Sequence, residues 1–78
     1  MKKRLVDLEE GASAIVSEIA GGHGFTSRLL GLGIRENIRL TVMCAPRGRG
    51  PTIVTVGRSR VAIGHGMASK IMVKPEKS

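Results

Sequence analysis

The clearest pattern in the chain is a strict alternation over residues 37–44, with Ile38, Leu40, Val42 and Cys44 on one face and Arg39, Thr41 and Met43 on the other. Side chains along a strand point to opposite sides in turn, so this run predicts a strand with one buried face, on which Cys44 is a small core residue. Residues 52–56 are β-branched at every position. With Val61 to Ile63 beyond a turn at Gly57-Arg58-Ser59, they predict a hairpin. Residues 14–20 hold Ile15, Val16 and Ile19 in a less regular run that reads as an earlier strand, and Ile71 with Val73 makes a last one before Pro75.

Between the first strand and the alternating one the period changes from two to that of a helix. Phe25, Leu29 and Leu32 lie four and then three residues apart, which places them on one face of a short helix. Gly33 can close that helix in the left-handed conformation, with Ile34 behind it as the hydrophobic contact of the cap. Ahead of the helix, Gly21-Gly22-His23-Gly24 is too rich in glycine for an element interior and reads as a loop. Leu5, Val6 and Leu8 anchor the entry to a turn at Glu9-Glu10-Gly11. Gly64-His65-Gly66 breaks the chain again before one helical turn at Met67-Ala68-Ser69. The stretch 45–51 is bounded by proline and carries Arg47 and Arg49, so it is an exposed basic loop.

These elements make a mainly β domain over residues 5–75, with a basic tail at 1–4 and a short tail at 76–78. About five short strands and one helix inserted after the first of them suggest a small, partly open β-barrel. A chain of 78 residues has a thin core. It holds one cysteine and no Cys-x-x-Cys pair, so neither an internal disulfide nor a structural zinc is at hand, and curling a sheet on itself is the economical alternative.

Charge narrows the partners. Thirteen Lys and Arg against six Asp and Glu give +7, which favours an anionic surface: nucleic acid, the inner leaflet of a membrane, or an acidic protein. One Phe and no Tyr or Trp weigh against nucleic acid, because single-stranded binders stack bases on aromatic rings. The same shortage removes the aromatic groove that proline-rich peptides need. Acidic residues Asp7, Glu9 and Glu10 interrupt the place where a signal peptide has its apolar region, and no run nears the roughly 20 apolar residues of a membrane helix. The expectation is a cytoplasmic protein whose contact with a membrane runs through a partner or through charge.

An ordered set of residues then resembles a known family. Leu8 with Gly11, Ile19 leading into Gly21-Gly22, Arg28-Leu29-x-x-Leu32-Gly33-Ile34, Pro51, Val61-Ala62-Ile63 and Ala68-x-x-Ile71-x-Val73 are similar to the FeoA family from Leu5 to Val73. The chain departs from that pattern at Asn37, where family members usually carry glycine. Asparagine is among the few other residues that tolerate positive φ there. The resemblance implies an SH3-like barrel with a helix after its first strand. It also implies an accessory protein of ferrous-iron uptake, acting at the cytoplasmic face on the FeoB-type membrane transporter with its GTP-hydrolysing domain. The competing readings are a small basic nucleic-acid-binding barrel and a free-standing relative of the SH3-like domain of metal-dependent repressors.

Candidate chemistry is sparse. The glycines before the helix lack the Gly-Lys-Ser/Thr ending of a phosphate-binding loop, and no nucleophile or carboxylate pair stands in a catalytic arrangement, so no enzyme and no small-molecule substrate are expected. His23, His65 and Cys44 are weak candidate ligands for Fe2+ or another divalent transition metal, but their spacing matches no metal motif and no cofactor is required. If Phe25, Leu29 and Leu32 face the core, Leu30 lies about 100° further round the helix and faces outward, near Arg28 and Arg35. These three, with Arg47 and Arg49 of the basic loop, are the candidate partner-binding residues.

Overall fold

The computed structural model describes residues 2–45, 48 and 50–76. Six strands form one antiparallel sheet: β1 (Lys3–Arg4), β2 (Ser13–Ile19), β3 (Arg39–Cys44), β4 (Thr52–Val56), β5 (Ser59–Ile63) and β6 (Ile71–Pro75), in the order β1-β6-β2-β3-β4-β5. Helix α1 (His23–Gly31) lies between β2 and β3, and a short helix α2 (His65–Ala68) between β5 and β6. One face of the sheet supplies Ala14, Val16, Leu40, Val42, Val54, Val61, Ile63, Ile71 and Val73 to a single buried cluster, which Leu5, Leu8, Leu29, Ile34 and Ala68 complete. The mainly β, partly open architecture is the one the strand pattern predicts.

The alternation of β3 holds through Leu40 and Val42, both buried, and fails at Cys44, which is exposed. A register shift against β4 falls between Val42 and Cys44. Such a bulge adds a residue to one strand and turns those after it, so Cys44 leaves the face its spacing assigned and is not a core residue. The β4–β5 hairpin turns through Gly57 and Arg58, with Gly57 at φ +60 as the first central residue of a type II′ turn demands.

At the N-terminus, residues 3 and 4 are not part of a tail. Lys3 pairs with Val73 and Arg4 with Met72, forming a sixth, edge strand. A two-residue strand has no alternation to read, and Lys and Arg are the residues that keep a sheet edge from pairing further. The chain then makes one 3-10 turn at Leu5–Asp7, held by the Arg4 Nε to Asp7 Oδ2 contact of 3.2 Å, and drops Leu5 and Leu8 into the core.

Helix α1 begins two residues earlier than expected. Gly22 is its N-cap, so His23 and Gly24 are helical and only Gly21 and Gly22 belong to the connection. Its end follows the expectation in detail. Gly33 takes φ +87, its N–H donates to the Leu30 carbonyl, and the Ile34 N–H reaches back to the Leu29 carbonyl at 2.9 Å. These two bonds define a Schellman cap, and its accompanying hydrophobic contact is between Leu29 and Ile34, both fully buried. Leu32, expected to face the core, is instead 43% exposed. It is the C-cap, with φ −93 and ψ 0, so the helical period no longer applies to it, and Ile34 takes the place it was assigned.

Two positions fix how α1 meets the sheet. Asn37 adopts φ +70 and its N–H donates to the Val16 carbonyl at 2.7 Å, so the turn survives without glycine. Gly21 lies under the Phe25 ring, whose other neighbour is the Lys70 ammonium, 5.7 Å from the ring centroid. A Cβ at Gly21 would fall 2.5 Å from Phe25 Cδ2. Gly21 also holds φ +151, which L side chains rarely adopt, so Gly21→Ala both strains the backbone and displaces the ring, and an equilibrium urea titration should show a loss of about 1–3 kcal/mol. An unchanged midpoint would mean that Phe25 moves aside and that the backbone at residue 21 relaxes to a φ that alanine accepts.

Candidate functional site

The Schellman cap buries Leu29 and Ile34, and what lies between and beside them is left outside. Leu30 is 58% exposed, the highest value among the large hydrophobic residues described. It lines a groove of about 330 Å³ together with Ile19 at the end of β2, Thr26 one turn earlier on α1, Ile34 of the cap, and Arg35 and Glu36 of the turn into β3. Thr26 and Leu30 share a helix face because they are four residues apart. The Thr26 hydroxyl is tied to the Gly22 carbonyl at 2.9 Å, so it is already engaged within the helix. The floor is thus aliphatic, and the rim carries one charge of each sign, from Arg35 and Glu36. Neither of these two forms an ion pair among the described residues.

Of the residues singled out from the sequence, the structure brings Leu30 and Arg35 together and separates Arg28 from them. Arg28 is exposed, but it sits two positions before Leu30, about 200° round the helix. Leu29 points inward between them, so Arg28 and Leu30 occupy opposite flanks of α1. Arg47 and Arg49 lie outside the described residues. Ile19, Thr26 and Glu36 were not singled out. The spacing of Thr26 to Leu30 was a usable signal, whereas Ile19 reaches the groove through the sheet and no local pattern marks it.

The candidate metal ligands do not converge. His23 stands in the exposed first turn of α1, His65 opens α2 half-buried, and Cys44 is exposed at the end of β3. Among the described residues no three His, Cys, Asp or Glu side chains come together as a group able to hold a metal ion. The two histidines are helical rather than placed in loops, because each follows a glycine that serves as N-cap.

Among the described residues no helix is long and apolar enough to cross a membrane.

Comparison with known proteins places the fold and the chain. The FeoA domain matches residues 3–75, which includes the edge strand. A relative from Methanocaldococcus jannaschii, described as an Fe(2+) transport protein A, is 39% identical over 66 residues, covering 85% of this chain and 78% of its own. The crystal structure of an iron uptake regulatory protein, FeoA, superposes with a TM-score of 0.90 at 33% identity, over 97% of this chain and 100% of that one. A manganese-dependent transcriptional repressor has a similar fold, with a TM-score of 0.85 at 22% identity, over 92% of this chain and 40% of the repressor. The shared architecture is the SH3-like one, found free-standing in some of these proteins and as part of a longer chain in others. Matched along nearly its whole length by the family and by relatives of similar size, this chain belongs to the FeoA family.

Proposed function

We propose that this chain is a small cytoplasmic accessory protein of ferrous-iron uptake, which docks on the cytosolic GTP-hydrolysing part of an FeoB-type transporter and modulates its assembly or activity. Family membership supplies the iron system, since the relatives are described as an Fe(2+) transport protein and an iron uptake regulator. The observation that carries the docking is the groove beside α1: an exposed Leu30 over an aliphatic floor, with Arg35 and Glu36 at the rim. An exposed apolar side chain ringed by charge suits docking, since apolar burial supplies affinity and the charges select the partner and its orientation. The protein's contact with the membrane then runs through the transporter.

Titrating the chain against the purified cytosolic domain of such a transporter tests this reading. Saturable binding is expected. Absence of binding up to about 100 μM, with both proteins folded, would overturn it.

In this reading iron is cargo handled by the partner, and the chain needs no resident metal. Anaerobic titration with Fe2+, followed by NMR, should leave the ring resonances of His23 and His65 without saturable shifts. Stoichiometric shifts of both rings would instead make the chain itself an iron carrier.

A further inference from the structure

The face of the sheet turned away from the core carries a second, chemically different site. Antiparallel register lines up Ser13 on β2, Thr41 on β3, Thr55 on β4 and Arg60 on β5 as successive partners. This makes a row of three hydroxyls ending at a guanidinium. Ser13 Oγ and Thr41 Oγ1 are 2.8 Å apart, so one donates to the other and the acceptor's own proton remains free. The Thr55 hydroxyl has no hydrogen-bond partner among the described residues.

Beside this row the sheet opens. Thr41 with Thr55 is the last pair between β3 and β4 at this end, and past it the two strands part. The gap is a pocket of about 420 Å³ lined by Arg39, Leu40, Thr41, Thr55 and Gly57. Leu40 is buried, so the exposed part of the lining comes from the other four residues. Arg39 holds the Glu76 carboxylate through Nε at 3.0 Å, a single exposed ion pair on a guanidinium with five N–H donors. Arg60 and the turn residue Arg58 form no ion pair among the described residues. Three guanidinium groups therefore stand at this end of the sheet, and one of them, that of Arg39, is paired with the Glu76 carboxylate.

The geometry points to a binding site for a phosphoryl group, carried on a small phosphate ester or diphosphate. Hydroxyls and guanidinium N–H groups side by side are donors suited to a tetrahedral oxyanion, which presents several strong acceptors at once. A pocket of this volume is larger than a bare phosphate ion and leaves room for what the phosphoryl group is attached to. No aromatic ring borders it, so recognition rests on the phosphoryl end and not on stacking of a base. This site is independent of the groove at Leu30 and of the docking proposed there.

NMR titration of the whole chain tests it, first with inorganic phosphate, then with ADP, then with phosphatidylcholine vesicles containing phosphatidylglycerol, each at constant ionic strength. Saturable shifts of the Arg39, Thr41, Thr55 and Gly57 amides are expected. Binding of phosphate and ADP assigns a soluble ester, whereas binding of the vesicles alone assigns a lipid headgroup. Thr55→Val keeps the β-branched shape and removes only the hydroxyl, and should weaken binding about tenfold or more. Arg39→Gln should do the same, and Arg28→Gln, on helix α1, should not. Shifts that are linear and equal in chloride, or an affinity untouched by Thr55→Val, would overturn the site.

Discussion

Leu30→Asp should abolish the proposed binding to the transporter's cytosolic domain and leave the folded chain intact. The side chain is 58% exposed and makes no part of the buried cluster, so its loss should change stability by no more than about 0.5 kcal/mol. In the complex the balance is different. Burying a leucine contributes about 1.5–3 kcal/mol, and an aspartate in its place would bring an unpaired carboxylate into an apolar groove at a further cost of several kcal/mol. At about 1.4 kcal/mol for each factor of ten, the dissociation constant should rise by at least about 100-fold. Calorimetric titration reads the affinity, and circular dichroism with urea unfolding reads the fold. Arg28→Gln, on the other flank of the helix, is the comparison: it should change affinity by less than about threefold, as expected for a charge at the edge of an interface or beyond it. Unchanged affinity for Leu30→Asp would remove the groove from the interface. Equal losses for both variants would show that net charge, rather than this groove, governs association.

Much of the framework was legible because its signals are local. The spacing of Leu29, Gly33 and Ile34 encodes the Schellman cap within six residues, whereas the positive φ of Asn37 is implied by the resemblance, through the glycine that family members usually carry there. The features that escaped depend on distant partners. Strand β1 exists only because β6 offers an edge some seventy residues later, and nothing in Lys3-Arg4 by itself marks it. Cys44 kept the right parity for burial and lost it to a bulge, which is a property of the β3–β4 pair rather than of either strand. Leu32 failed for the opposite reason. The helical period stops one residue short of it, because Leu32 is the C-cap and the glycine after it ends the helix. The candidate site divides in the same way. Leu30 and Arg35 follow from the helix and its cap, whereas Ile19 enters the groove only once β2 has been laid beside α1.

Leu29 is the residue on which the largest loss of stability is expected, although it is the immediate neighbour of Leu30. It is fully buried, and it is the only residue of α1 that is. Leu29→Ala removes three carbons from a site closed by Ile34 and the sheet, and such truncations cost about 2–5 kcal/mol, depending on how far the surroundings collapse. A chain of this size has a total stability of roughly 4–12 kcal/mol, so the variant should sit near the edge of folding at 37 °C. Urea unfolding should show a lower midpoint with the same slope. Gly33→Ala separates packing from backbone at the same cap. Its Cβ would have space, with nothing closer than a Val56 methyl at 4.0 Å, so its cost is that of holding alanine at φ +87, about 1–2 kcal/mol. A loss below about 1 kcal/mol for Leu29→Ala would mean that the helix is held by Phe25 and the cap instead. The two leucines thus divide the work of one helical turn. Leu29 should set whether α1 stays on the sheet, and binding by its alanine variant should recover wherever the chain is folded. Leu30 should set what α1 recognises, and no gain in stability should restore binding to its aspartate variant.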